Sequence, residues 1–322
     1  MKTTALLVFL MMIPVRRDPP FWGFYAHSLI NRLAVYSLPP EMLGFFKNHI
    51  EYITEKAVNP DRRRYAMTGE AERHFIDLDN YPDSLKAVLP GLSWEEAEKR
   101  LGEETFRANG IVPWQIQRMK LRLTEAFRQR EAAQVLRIAT DLGHYIADAN
   151  VPLHTTKNYN GQLTDQHGIH AFWESRLPEL FSPDYDLLIG KATYEKNIRE
   201  RSWQAVLQAQ AALDSVLLFE RQLTAESPPD RKFTVDERNG ITVRNYSREF
   251  SGKYHRMLEN QVERQMKRSI KMIADTWYTA WVDAGQPDLS GIPKFVPDPE
   301  EEKEMMKGWL HKLLNVRKEA DN

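Results

Sequence analysis

The sequence predicts an all-α fold, a single mainly helical domain, and three observations carry that expectation. Apolar residues recur at three- and four-residue spacing through most of the chain, proline and glycine bound the segments, and alternating β-branched runs are few. With 42% hydrophobic and 28% charged residues over 322 positions, the composition is that of a folded chain with enough apolar mass for a sizeable core. Length alone would allow roughly two domains at about 150 residues each, but one large helical body fits as well.

The chain opens with Lys2 and an apolar run from Ala5 to Val15, which reads as an export signal and is short for a membrane span. Residues 1–21 are therefore expected to be a leader, and the product to be periplasmic or secreted. The following Arg16-Arg17-Asp18-Pro19-Pro20-Phe21 lacks a small-x-small cleavage site, so an uncleaved apolar arm or a buried first helix is the alternative. From Pro40 to Ala57, proline at the first turn and Leu43, Phe46, Ile50 and Ile53 predict one core helix. Ser93 and Glu96 form a capping box ahead of another helix, and Pro113 to Arg128 with Glu131 to Ala149 read as an antiparallel pair. Long helices are expected over Lys196 to Leu223, ended by Ser227-Pro228-Pro229-Asp230, and from Arg248 to Ala284 with Met266, Ile270, Ile273 and Trp277 in one row. The helical domain is expected over 22–285. Residues 286–322 then form a Pro-rich connector and an amphipathic helical tail, with Met305/Met306, Trp309/Leu310 and Leu313/Leu314 as its stripe.

A formal charge of −1, from 44 Lys+Arg against 45 Asp+Glu, excludes wholesale attraction to nucleic acid or an anionic membrane. The absence of cysteine excludes disulfides, thiolate metal sites, iron–sulfur clusters and cysteine nucleophiles. A metal would have to sit on carboxylates and on some of the nine histidines. No histidine is followed by Asp or Glu, which disfavours the adjacent His-Asp type of helical metallohydrolase and the His-Glu-x-x-His proteases.

Chemistry-bearing residues concentrate between Asp141 and Glu174. His144 and Asp148 stand four apart on a helix whose buried face is Val135, Ile138, Leu142 and Ile146, so the pair shares a different face and can grip one ion. Pro152 ends that helix and turns Leu153-His154 back, while His170 and Glu174 supply a second four-residue pair. Upstream lie Trp22 and His27, then Asp61 and His74.

The ordered set Trp22, His27, Asp61, His74, His144, Asp148, His154, His170, Glu174 resembles the ligand set of the superfamily of bacterial zinc-dependent phospholipases C and fungal and plant single-strand-specific zinc nucleases. The resemblance spans Trp22 to Glu174 and implies three zinc ions. Asp61, His74 and His144 would hold one. Asp148 would bridge it to another, held by His27 and by the backbone of Trp22, and His154, His170 and Glu174 would hold the remaining one. In the family that tryptophan opens the mature chain and its free amine is a ligand. Here this needs cleavage between Phe21 and Trp22, because an attached Phe21 leaves an amide nitrogen, a very poor ligand. The implied activity is phosphodiester hydrolysis by zinc-activated water, with Asp61 orienting the water or acting as base.

Arg64, three residues after Asp61, resembles the phosphate-contacting arginine of the nuclease branch, and Phe75 and Asp77, which closely follow His74, are expected to line the leaving-group pocket. The rest of the Arg62 to Arg64 run is expected to be a solvated face. Missing cysteines lean toward the phospholipase branch. Phospholipid is thus the first expected substrate, with peripheral membrane contact, and single-stranded nucleic acid the alternative, without a stable nucleic-acid complex. A non-catalytic zinc-binding protein is the reading of another class. Among the other histidines, His49 reads as a satisfied core residue and His167 as a support near the site, while His255 and His311 sit among charges; Asp141 reads either as a second support or as a surface residue.

Overall fold

The computed structural model describes residues 24–64, 66–238, 241–292, 295 and 300. Helices dominate in chain order: α1 (Phe24–Val35), α2 (Pro40–Asn48), α3 (Ile50–Lys56), α4 (Asn59–Arg63), α5 (Asp83–Lys86), α6 (Trp94–Leu101), α7 (Glu103–Ala108), α8 (Val112–Gln129), α9 (Ala132–Asp148), α10 (Ile169–Ala171), α11 (Leu177–Phe181), α12 (Ile198–Glu226), α13 (Pro229–Lys232), α14 (Arg248–Met257) and α15 (Gln261–Asp283). The all-α expectation holds, apart from one two-stranded ribbon. The leader, Trp22, Tyr65 and the amphipathic stripe of the tail lie outside the described residues.

Helices α8 and α9 form the expected antiparallel pair, and α15 packs across α1, α8 and α9. The apolar row of α15 is core: Trp277 is fully buried, stacks on Phe46 at 5.2 Å, and donates its indole N–H to the Ala139 carbonyl at 2.9 Å. Burial of such rings contributes about 1.5–3 kcal/mol each, and the one polar atom of Trp277 is satisfied. The capping box of α6 forms as its sequence demands, with Ser93 Oγ accepting from the Glu96 N–H and the Glu96 carboxylate accepting from the Ser93 N–H.

Three element boundaries differ from the sequence expectation. Pro40 to Ala57 is two helices broken at His49, whose Nδ1 donates to the Phe45 carbonyl at 2.8 Å and whose Nε2 accepts from the Phe295 N–H at 3.2 Å. His49 is thus a satisfied core residue that terminates a helix. The expected helix from Arg248 to Ala284 is likewise two, because Glu259 and Asn260 take left-handed φ of 47° and 60°, which no helix interior accommodates. The third is the ribbon, β1 (Phe233–Arg238) paired antiparallel with β2 (Ile241–Tyr246), with Phe233 opposite Tyr246. Its alternating runs flank Asn239-Gly240, a strong hairpin signal.

Two packing relationships position the site. Gly143 lets α1 approach α9, since a Cβ there would lie 1.8 Å from Asn31 Oδ1. The ribbon braces the chain around Glu174: Tyr246 stacks on Phe172 at 3.7 Å, and Arg176 Nε donates to the Tyr246 carbonyl.

Candidate metal centre

Five histidines and three carboxylates from α1, α4, the segment before Phe75, α9, the turn Pro152–Thr155 and the region Ile169–Arg176 converge in one cluster. Every described residue of the predicted ligand set is in it. Residues 172–176 form a π-helical turn directly after α10, a widening that helices tolerate mainly at functional positions. It carries Glu174 so that its Oε2 lies 2.6 Å from His170 Nε2.

The first group is Asp61, His74, His144 and Asp148. Asp61 Oδ1 stands 3.7 Å from His74 Nδ1 and 3.6 Å from His144 Nε2, and these two nitrogens are 3.1 Å apart. Asp148 Oδ2 stands 2.9 Å and 3.2 Å from the same nitrogens. Tetrahedral zinc with ligand bonds of 2.0–2.1 Å sets its donors about 3.3 Å apart, so these spacings match the edges of a zinc tetrahedron. In the second group His154 Nε2 is 3.1 Å from His170 Nε2 and 3.4 Å from Glu174 Oε2. The donors are nitrogen and oxygen alone, a set that suits zinc.

The backs of two rings fix their tautomers. His144 Nδ1 lies 2.9 Å from the Ala57 carbonyl and His154 Nδ1 lies 2.6 Å from the His74 carbonyl. A carbonyl only accepts, so both Nδ1 atoms carry hydrogen and both Nε2 atoms are the ones that face the cluster. His74 is oriented the other way, with Nδ1 inward and Nε2 buried 3.8 Å from Glu70 Oε1.

Burial disfavours charge on Asp148, Glu174, His27, His154 and His74, yet the ion pairs override it at the first four. Asp148 and Glu174 are held well below the ordinary carboxylate range by the imidazoles around them. His27 is correspondingly raised by Asp148 and Glu174, and His154 is raised to about 9 by the same two carboxylates. At His74 burial wins and the pKa falls.

Around the ligands, Arg64, Phe75, Asp77, Leu153, Lys157 and Tyr159 line a cleft of about 210 Å³ that His74, His154 and His170 also border. The three predicted substrate residues therefore border the cluster together. Burial and the adjacent Asp79 push the Asp77 carboxyl up to about 7. The wall that carries them is pinned at both edges: Ile76 N–H donates to the His154 carbonyl at 2.9 Å, and Asp77 N–H to the Asn109 carbonyl at 2.8 Å. Gly110 permits this contact, having φ +83° and no room for a Cβ, which would meet the Phe75 carbonyl at 2.2 Å.

Several expectations need correction. His144 and Asp148 share a face apart from the apolar stripe, as expected, but that face is enclosed too, since every residue from Leu142 to Asp148 is buried. Arg63 is no solvated residue: its guanidinium binds Asp141 Oδ2 at 2.8 Å and Glu70 Oε1 at 3.4 Å, with 15% of the side chain exposed. Asp141 is accordingly a support behind the cluster. His167 is exposed and stands outside it. Sequence reasoning missed Glu70, fully buried, which accepts from Arg73 Nη1 at 2.7 Å and from the Tyr145 hydroxyl. Its signal was the same four-residue spacing, here ahead of His74. It also missed Lys157, whose two-residue distance from a turn carries no periodic signature.

No family model matches the chain, and no curated protein matches it. Among solved structures, the alpha toxin from Clostridium absonum is similar, with 14% identity and a TM-score of 0.47, over 84% of this chain and 67% of that one.

Proposed function

We propose that this chain is a zinc-dependent phosphodiesterase acting first on phospholipid, in the manner of a phospholipase C. The observation that carries the reading is the convergence of five imidazoles and three carboxylates at zinc-ligand spacing beside a cleft lined by Arg64. Asp61, His74, His144 and Asp148 would hold one ion and His154, His170 and Glu174 another, with His27 adding to the donors between them. Bound zinc supplies an acidified water and neutralises charge developing on phosphate.

The remaining roles belong to the chain. Arg64 has 34% of its side chain exposed and only a 3.9 Å contact to Asp61, which leaves its guanidinium able to grip phosphate oxygens. Asp61 is the most accessible of the three carboxylates, at 20% exposure against 1% for Asp148 and 11% for Glu174. It is the one placed to orient a water or take its proton, whereas Asp148 is committed to the imidazoles. Phe75 walls the cleft against bulk water.

A volume near 210 Å³ suits one phosphate with a small headgroup better than a run of nucleotides, and the net charge of −1 offers no track for a polyanion. The nuclease reading draws support from Phe75 and Tyr159 beside Arg64 and Lys157, a pairing of aromatic faces with cations that suits a stacked base. The expected leader favours a periplasmic or secreted location for this activity, with peripheral contact at lipid surfaces. Zinc-loaded protein should be offered phosphatidylcholine vesicles, a single-stranded oligonucleotide and a chromogenic diester. Cleavage of the vesicles alone supports the first reading and cleavage of the oligonucleotide alone the second. Tight zinc with no turnover of any of the three would make the chain a non-catalytic zinc-binding protein.

A further inference from the structure

We propose that Glu174 completes the third zinc position, so that the metal cluster assembles whether or not the chain begins at Trp22. The inference rests on the zinc reading above and departs from the ligand set that the resemblance implies, in which Asp148 is the one bridge.

The two buried carboxylates divide their oxygens in the same way. Asp148 directs Oδ2 to His74 and His144, at 2.9 Å and 3.2 Å, and Oδ1 to His27 Nε2 at 3.3 Å. Glu174 directs Oε2 to His170 and His154, at 2.6 Å and 3.4 Å, and Oε1 to His27 Nε2 at 3.1 Å. His27 Nε2, Asp148 Oδ1 and Glu174 Oε1 are therefore a set of three protein donors at zinc spacing, between the two groups already described. None of these atoms belongs to the first 23 residues.

Two further observations show that this central position is built. The His27 ring stacks on His144 at 4.0 Å with an angle of 23° between planes, which fixes where Nε2 points. Its Nδ1 is buried with no hydrogen-bond partner among the described residues. Helix α1 is in turn held close by the missing Cβ of Gly143 against Asn31. Charge favours the same arrangement. Neighbouring divalent cations repel unless anions lie between them, and two bridging carboxylates screen the central ion on both sides where a single bridge screens one. An N-terminal amine is a neutral donor and brings no such screening.

Zinc counting tests this without relying on turnover. The full chain, its uncleaved start verified by N-terminal sequencing, and a chain starting at Trp22 are each loaded with zinc, freed of loose metal with a weak chelator, and assayed for metal per polypeptide. The expected result is three equivalents in both. Glu174→Gln should leave one equivalent, since it disables the central position and the His154/His170 position together, and His27→Ala should leave two. Three equivalents in the chain starting at Trp22 but two in the full chain would overturn the proposal, as would loss of a single equivalent in Glu174→Gln. The comparison of chain starts needs no substitution, so a folding defect in a variant cannot obscure it. Failure of every form to bind zinc would instead remove the phosphodiesterase reading itself.

Discussion

His154 Nδ1 lies 2.6 Å from the main-chain carbonyl of His74, so the backbone of one candidate ligand orients the ring of another. The contact is returned two residues on, where the Ile76 N–H donates to the His154 carbonyl at 2.9 Å. His74 faces the first donor group and His154 the second. The two groups are thus coupled through a short backbone ladder as well as through shared carboxylates, and damage to one should be felt in the other.

Asp148→Asn tests the sharing directly. The substitution keeps size and removes the negative charge that lies within 3.3 Å of His27, His74 and His144. The variant should retain no more than one equivalent of zinc and lose essentially all diesterase activity. Wild-type zinc content in this variant would refute the bridging role.

Glu70→Gln tests the support behind His74. Glu70 is fully buried, neutralised by Arg63 and Arg73, and stands 3.8 Å from His74 Nε2. A carboxylate behind a metal-binding imidazole raises its basicity, and removing such partners costs roughly 10–100-fold in metal affinity. Chelator competition should show a loss of that size with an unchanged helical circular dichroism spectrum, and Glu70→Asp should recover part of it. Unchanged affinity would make Glu70 a purely structural anion.

The parts of this centre that were legible in the sequence are those whose geometry is local. His144 with Asp148 and His170 with Glu174 could be paired by helical spacing, and the capping box of Ser93 and Glu96 needed no tertiary knowledge. The bracing of Glu174 was not legible, because it depends on the ribbon from Phe233 to Tyr246, which a search for helical periodicity passes over even with Asn239-Gly240 as a signal. Nor was the break after Leu258. The apolar row of α15 gives no sign of where the helix starts, and two left-handed residues decide it. Arg63 was misread because charge runs are usually solvated, and only the fold brings Asp141 and Glu70 to it.

Gly143→Ala tests the approach of α1 to α9. The new Cβ would stand 1.8 Å from Asn31 Oδ1, so one of the two helices must move. Overpacking of this kind costs about 1–3 kcal/mol, against a small gain in helix propensity, and should lower Tm by several degrees in a thermal melt. Pairing it with Asn31→Ala, which removes the obstructing amide, should restore most of the loss. A double variant no better than the single one would show that the close approach is not what selects glycine.

Asp77→Asn gives a pH signature. The carboxyl is raised to about 7 in the folded chain by burial and by Asp79, against an ordinary value near 3.8. A carboxyl raised on folding costs stability once the unfolded chain ionises it, so the penalty grows from about pH 4 to pH 7 and is constant above. In chelator-treated protein Asp77→Asn should therefore melt above wild type at pH 8, with the difference shrinking as pH falls toward 4. A difference that does not depend on pH would locate the effect of the substitution elsewhere.

Arg64→Ala separates substrate binding from metal binding. Arg64 lines the cleft with Phe75 and Asp77, and its one acidic contact among the described residues, to Asp61, is 3.9 Å long, so the cluster does not depend on it for shape. A charged hydrogen bond contributes about 1.5–3 kcal/mol, which corresponds to a fall of roughly 10–150-fold in kcat/KM on a phosphodiester. Zinc content should remain that of wild type. Arg64→Lys restores the charge but not the planar fork, so it should recover KM in part and fall short of full activity. Equal activity of Arg64→Ala and wild type would leave Lys157 as the cleft's remaining phosphate-gripping cation, and loss of zinc in Arg64→Ala would place Arg64 in the support of Asp61 instead.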